Sequence, residues 1–407
     1  MPSFRTLDDV DVKAKRVLLR VDLNVPMRNG EVADVSRIER NMPTITEIAD
    51  RGGKVILLSH YGRPKGPDAK ESLKPVVAAV ARIIGRPIGF ASDCTGPVAE
   101  KAVAAMQPGD ILCLENTRFH KGEENNDPDF AALLARLGDV YVDDAFSVAH
   151  RAHASVEAIA QLLPAYAGRA MQEELAALNR ALHDPERPVT AIVGGAKVST
   201  KLDLLGNLIT KVETLIIGGG MANTFLAALG KPVGKSLVET DLIGTARDIM
   251  AKAKALNREI VLPVDAVVAA KLASNVPTRV TTIDAVGADD MILDIGPRSI
   301  EQAISVLARS KTLVWNGPFG AFEHEPFDNG TVEVAEAAAE LTADRRLVSI
   351  AGGGDTMAAL NVAGVVERFT YVSTAGGAFL EWQEGKTLPG IEVMQANRAP
   401  AVSPARV

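Results

Sequence analysis

Five basic side chains in the first half of the chain, Arg37, His60, Arg63, Arg118 and Arg151, stand at the ends of apolar runs or at the starts of helical patterns. A guanidinium is a planar fork of N–H donors that matches a carboxylate or a phosphate. An interior-facing arginine is rare unless it is paired. If the five converge on one edge, they suit a small molecule with a phosphate and a second anionic group. Asp22 and Asn24 follow the first apolar run and precede Pro26, offering acceptors and one amide to hydroxyl groups. His150 and His153 have the i, i+3 spacing of a metal pair. Arg151 between them would repel a cation and no third ligand is near, so a structural or hydrogen-bonding role is expected.

The second half places glycine where the first places arginine. GGAKVSTK, residues 194–201, follows an apolar run and opens a helical pattern. Flexible backbone, a helix N-terminus and two lysines suit a phosphate, although the order is not that of GxxxxGK[ST]. Lys197 and Lys201 are four residues apart, which predicts that both project from the first helical turns. In GGGDT, residues 352–356, the glycines admit a phosphate to the backbone. Asp355 there either caps a helix or, beside a polyphosphate, holds Mg2+. VWNGPFGAFE, residues 314–323, is a rigid turn that leaves Glu323 to accept from a ribose. GGGM, residues 218–221, either lets a flat group pack on the chain or serves tight helix–strand packing. Two anion sites of different kinds follow, one per half.

These residues need sheet edges to stand on. Short runs rich in Val, Ile and Leu predict strands at 16–21, 54–59, 87–90, 110–114 and 139–143. Further strands are predicted at 189–193, 212–217, 259–262, 311–315, 346–350 and 369–372. Helical patterns alternate with them at 37–51, 72–84, 97–106, 128–137, 198–210, 221–229, 239–256, 298–309, 331–342 and 355–362. That alternation means parallel sheets covered on both faces, with ligands at the carboxyl ends of the strands. Met171, Leu175, Leu178 and Leu182 lie at helical spacing, and Asp184-Pro185 and Pro188 stop the pattern, so a helix over 170–183 is expected to connect two domains of similar size. No sequence repeat is evident. Residues 396–407 carry two prolines and no periodicity, and read as a surface tail.

A chain of 407 residues with 47% apolar content can bury large cores. A net charge of -7, with Lys and Arg divided about equally between the halves, excludes a basic domain and argues against nucleic acid as a partner. Two cysteines, Cys94 and Cys113, make no disulfide framework and read as buried thiols of a reducing compartment. The N-terminus lacks an apolar signal core, and no apolar run reaches membrane-spanning length. A cytoplasmic protein with no membrane partner is expected.

Nine blocks then resemble, in order, the signature blocks of the phosphoglycerate kinase family. They are RVDLNVP (20–26), SHYGRP (59–64), ENTRFH (115–120), AHRAHAS (149–155), GGAKVSTK (194–201), IIGGGMANTFL (216–226), WNGPFGAFE (315–323), GGGDTMAA (352–359) and EGKTLPGIE (384–392). The resemblance implies an α/β fold of two Rossmann-like three-layer domains with parallel sheets, joined by a hinge helix. It implies a 3-phosphoglycerate-binding domain at 1–169, an interdomain helix and hinge at 170–187, and a nucleotide-binding domain at 188–377. Residues 378–407 form a segment packing back toward the first domain.

The reaction implied is reversible, Mg-dependent phosphoryl transfer between ATP and the carboxylate of 3-phosphoglycerate, giving ADP and 1,3-bisphosphoglycerate. By the same resemblance the acid is held by Asp22, Asn24, Arg37, His60, Arg63, Arg118 and Arg151. The nucleotide is held by Lys197, Lys201, Gly219, Asn316, Pro318, Glu323, Gly353, Gly354, Asp355 and Thr356, with Asp355 on the magnesium. Arg37, Lys197, Lys201, Gly354 and Gly377 attend the moving phosphoryl group, and a hinge closure is expected. A monomer is typical of the family. Members often have glycine where Ile292 and Ala375 stand, and differ at Asp143, Ser147 and Val148. Two other classes are weighed. A non-catalytic two-domain anion-binding protein would not need the Lys197, Lys201 and Asp355 set. A nicotinamide-dependent dehydrogenase is disfavoured because GxGxxG is missing after the first strand of either half.

Overall fold

The computed structural model describes residues 4–28 and 31–397, so most of the expected tail, from 398 on, lies outside the described residues. The chain forms two compact units. Among the described residues, one runs to Leu175 and takes in residues 387–397; the other spans Ala176 to Lys386.

The first unit is built on strands β1 (Arg16–Arg20), β2 (Lys54–Leu58), β3 (Gly89–Ala91), β4 (Ile111–Leu114), β5 (Val140–Asp143) and β6 (Ala165–Ala167). They form one sheet in the order β3-β4-β2-β1-β5-β6, every pairing parallel. Leu19, Val55, Leu57, Cys113 and Val142 from these strands share a core with Ile38, Ile45 and Ile48 of helix α1 (Ser36–Asp50). Those three positions recur at near-helical spacing, which is why this stretch folds as an amphipathic helix against the sheet. The register sets Arg20 opposite both Leu58 on β2 and Asp143 on β5. The carboxyl ends of three neighbouring strands are therefore level, and the residues that follow them leave the sheet at one edge.

The predicted helix over 170–183 is found as helix α2 (Arg169–Leu178) followed by a single π turn, Asn179–His183. The chain passes from one unit to the other within α2.

The second unit holds β7 (Val189–Val193), β8 (Thr214–Ile217), β9 (Glu259–Val261), β10 (Asp265–Ala269), β11 (Arg279–Thr282), β12 (Met291–Ile295), β13 (Thr312–Asn316), β14 (Val348–Gly352) and β15 (Tyr371–Ser373). Its main sheet runs β9-β8-β7-β13-β14-β15, again parallel throughout. Trp315, fully buried, anchors a core with Leu313, Ile192, Ala351 and Leu360. A separate antiparallel sheet, β11-β10-β12, was not expected from the sequence. Its outer strand β11 exposes Arg279, Val280 and Thr282, so it lacks the apolar run that marked the others.

Helices α3 (Leu202–Leu208), α4 (Gly219–Ala228), α5 (Gly354–Val362) and α6 (Gly377–Gln383) follow β7, β8, β14 and β15. The expected helix over 198–210 is thus a turn shorter at its start. Residues 198–200 form a bend and a turn, and Lys201 is the N-cap with φ −133°. Both cysteines are buried free thiols. Among the described residues, no helix is long and apolar enough to cross a membrane.

Candidate functional site

In the first unit, Asp22 leaves the end of β1 and accepts a hydrogen bond from Arg37 Nη1 of α1 at 3.0 Å. The same Nη1 donates to the Asn24 carbonyl at 2.9 Å, and Asn24 N–H donates to Asp22 Oδ1 at 3.0 Å. The Ser147 hydroxyl donates to Asp22 Oδ2 at 2.5 Å. Past β2 the chain turns at Gly62, with φ +60°. Gly62 N–H donates to Asn24 Oδ1 at 3.0 Å, and its carbonyl accepts from Arg118 Nη1 at 2.7 Å. A Cβ at Gly62 would also strike the Glu71 carboxylate, so only glycine fits this knot. Arg63, the next residue, is exposed.

His60 is the buried centre of the cationic set. Burial pushes it well below the usual histidine range, and the charges of Arg20, Arg118 and Arg151 push the same way. It is therefore neutral at pH 7. His153 is drawn down to about 3 by burial and then by Arg118, Arg20 and Arg151. These mutual effects mean that the guanidiniums crowd one small volume, where an anion would relieve their repulsion. Arg151 Nε donates to His150 Nε2 at 3.2 Å, and His153 Nδ1 lies 3.9 Å from Glu123. Neither histidine is placed as half of a metal pair.

In the second unit, Lys201 does not project from a helical turn. Its ammonium folds back and donates to the Gly194 carbonyl at 2.7 Å, the Asn316 carbonyl at 3.0 Å and Asn316 Oδ1 at 2.6 Å. All three of its N–H groups are spent within the protein. Burial draws Lys201 down to about 8, with Asp355 pulling the other way. The expectation that both lysines point outward from the helix is thus corrected. Lys197 is exposed on the loop before α3, whereas Lys201 staples the end of β7 to the end of β13.

The staple is one bond in a wider lattice. Asn316 Nδ2 donates to Gln383 Oε1 of α6 at 2.8 Å, and Gly317 N–H donates to Thr356 Oγ1 of α5 at 2.7 Å. Gly219 N–H donates to the Phe319 carbonyl at 2.8 Å. Gly353, with φ +101°, caps α5, and Gly376, with φ +57°, caps α6; Gly354 and Gly377 beyond them are exposed.

A cavity of about 300 Å³ opens beside this lattice, lined by Gly219, Pro318, Glu323 and Asp355 of the expected residues. Leu272, Leu237 and Met291 supply an apolar side that sequence reasoning did not assign, and Ile292, noted there as a departure from the family, joins them. A flat, mostly apolar ring with a charged tail fits such a lining.

The sequence and the fold stand beside those of known proteins. A model of the family described as phosphoglycerate kinase matches residues 7–386. The chain belongs to the phosphoglycerate kinase family. A phosphoglycerate kinase of Bradyrhizobium diazoefficiens is 64% identical over 393 residues, covering 97% of this chain and 99% of that protein. One of Rhodopseudomonas palustris is 65% identical with the same coverage. The solved phosphoglycerate kinase of Coxiella burnetii superposes with a TM-score of 0.90 at 42% identity, over 97% of this chain and 99% of the other. That of Pyrococcus horikoshii gives 0.82 at 29% identity, with the same coverage.

The enzyme is accordingly a phosphotransferase with a carboxyl group as acceptor, and the non-catalytic alternative finds no support. Its departures from common family residues are accommodated locally. Ile292 packs on the cluster of Leu226, Ala266, Val268 and Ile283 while its N–H donates to Ser236 Oγ at 2.8 Å. Ala375 is buried outside the left-handed region, which Gly376 takes instead. Ser147 supplies the hydroxyl on Asp22 described above. Arg20, Glu123 and Ser155, all buried beneath the basic set, were missed. The available signal was a charged residue inside the apolar run of β1.

Proposed function

We propose that the first unit binds 3-phosphoglycerate through Asp22, Asn24, Arg37, His60, Arg63, Arg118 and Arg151, and that the second binds ATP or ADP through the glycine-rich strand ends. The observation that carries the first half is the crowding of guanidiniums around a neutral His60, next to the Asp22 and Asn24 acceptors. Guanidiniums that raise one another's electrostatic cost, beside groups that receive hydroxyls, match a phosphorylated hydroxy acid. The cavity that joins Gly219 and Asp355 to an apolar wall supports the second half.

The chemistry asks for no general base, because the attacking carboxylate is already anionic. The γ-phosphoryl group of ATP leaves the β-phosphate oxygen and forms a bond to a carboxylate oxygen, and charge neutralisation with positioning carries the barrier. Arg37 retains N–H groups beyond the Nη1 spent on Asp22 and Asn24, and faces the acid. Lys197 is exposed and meets the phosphates directly. Lys201 adds its charge from behind the loops that it holds. The N–H groups of Gly353, Gly354 and Gly377, at the starts of α5 and α6, complete the cradle. Thr356 and Asn316 fix that cradle from beneath.

The exposed Asp355 carboxylate in the first turn of α5 is a hard oxygen ligand and fits Mg2+. Bound as MgATP or MgADP, the ion supplies neutralisation of phosphate charge. We take the working form to be a cytoplasmic monomer, as is typical of the family.

The test is Arg37→Ala. It is expected to lower kcat roughly 10²-fold or more, as loss of one electrostatic donor does, with the KM for MgATP nearly unchanged. Steady-state kinetics coupled to 1,3-bisphosphoglycerate formation reads both. A variant with near-normal kcat removes Arg37 from the assignment.

A further inference from the structure

Beneath the basic set of the first unit runs a buried polar chain whose directions can be read from hydrogen-bond inventory alone. Arg20, at the end of β1, is fully buried. Its Nε donates to Ser155 Oγ at 3.0 Å, its Nη1 to the Val21 carbonyl at 2.5 Å, and its Nη2 meets His60 Nδ1 at 3.1 Å. A guanidinium has donors and no acceptor, so His60 Nδ1 must accept. An imidazole that accepts at Nδ1 and is neutral carries its proton on Nε2.

On the other side, Ser155 Oγ has one proton. Having accepted from Arg20, it donates that proton to Glu123 Oε1 at 2.6 Å. Glu123 Oε2 takes the Ser155 N–H at 2.9 Å. Glu123 is fully buried as well, so a guanidinium and a carboxylate offset one another across a single hydroxyl. The Tyr141 hydroxyl donates to the Ser155 carbonyl at 2.9 Å and holds that residue from below. Ser155 lies 135 residues from Arg20 and 32 from Glu123, so the arrangement is a product of the fold and not of local sequence.

We infer that Glu123, Ser155 and Arg20 are positioning residues that lock His60 in its Nε2–H tautomer, so that the imidazole offers the acid substrate a donor. The other tautomer would turn a bare nitrogen lone pair toward an anionic oxygen and repel it. The inference rests on the placement of His60 in the 3-phosphoglycerate site proposed above. Ser155 and Glu123 act through Arg20 and need no contact with substrate.

The full-length enzyme labelled with 15N-histidine tests this by NMR of the ring nitrogens, alongside kinetics. In the unaltered protein near pH 7.5, the His60 resonance is expected to show a protonated Nε2 and an unprotonated Nδ1. A proton found on Nδ1, or a charged ring, overturns the proposal with no variant required. In Ser155→Ala, which strips Arg20 Nε of its acceptor and frees the guanidinium to swing off Nδ1, the ring is expected to become a tautomer mixture, and the KM for 3-phosphoglycerate to rise on the order of tenfold, as for loss of a hydrogen bond to a charged group. The KM for MgATP and kcat should hold. Ser155→Thr, which keeps the hydroxyl, should restore both readouts. A KM that rises while the tautomer stays fixed overturns the lock. A tautomer that shifts while the KM stays fixed takes His60 out of the acid site and overturns the reading beneath.

Discussion

Lys201 is a cation whose N–H groups all serve the protein that carries it. Drawn down to about 8, chiefly by burial, it titrates within reach of ordinary assays. Its folded value lies below the lysine range, so the folded state binds fewer protons than the unfolded chain between about pH 8 and the ordinary value of 10.5. Stability therefore rises with pH across that window as the buried charge is relieved, while the field felt by a bound polyphosphate weakens. Nucleotide affinity of the free enzyme is expected to fall as pH rises above about 8, measured by calorimetric titration with ADP from pH 7 to 10. Lys201→Arg, which stays charged, should flatten that fall. An unchanged ADP affinity in the native enzyme up to pH 10 would show that the Lys201 charge does not contribute.

At the scale of elements, both candidate sites stand at strand ends, and the glycines divide into two kinds. Gly219 has φ +68°, and a Cβ there would lie 2.5 Å from the Gly195 carbonyl oxygen. Gly354, at the start of α5, has an unstrained φ and open space around a would-be Cβ. Gly219→Ala is thus expected to destabilise the second unit by about 1–3 kcal/mol, the scale of local backbone strain, whereas Gly354→Ala should melt normally and lose activity. Urea unfolding followed by the coupled assay separates the two. Equal stability losses in both variants would contradict this division.

The parallel strands were legible in the sequence because both their faces are buried, which leaves continuous Val, Ile and Leu runs. The antiparallel sheet was not, since β11 exposes three of its four residues and so lacks such a run. The start of α3 was set too early because turn-forming residues of GGAKVSTK were counted as helix. Arginine at strand ends marked the candidate site of the first half, and glycine at strand ends marked that of the second. The partners that hold them, Glu123 and Ser155 under Arg20, come together only through tertiary contacts that no spacing rule reports.

Taken whole, the molecule has a net charge of -7, so the two anions proposed above would each be captured by local fields and not by the charge of the chain. Each unit carries its own six-stranded sheet and its own core. A ligand that binds only the folded form of one unit stabilises that unit by RT ln(1 + [L]/Kd), about 2.7 kcal/mol at a hundredfold excess over Kd. Hydrogen exchange read by peptide should therefore respond by unit. With 3-phosphoglycerate alone, slowing is expected in peptides from β1, β2, β4 and β5; with ADP alone, in those from β7, β8, β13 and β14. The two patterns follow from separate cores, because opening of one sheet need not await the other. Equal protection of both sheets by either ligand would mean that the units open as one cooperative body, and the assignment of one ligand to each would then need evidence other than protection.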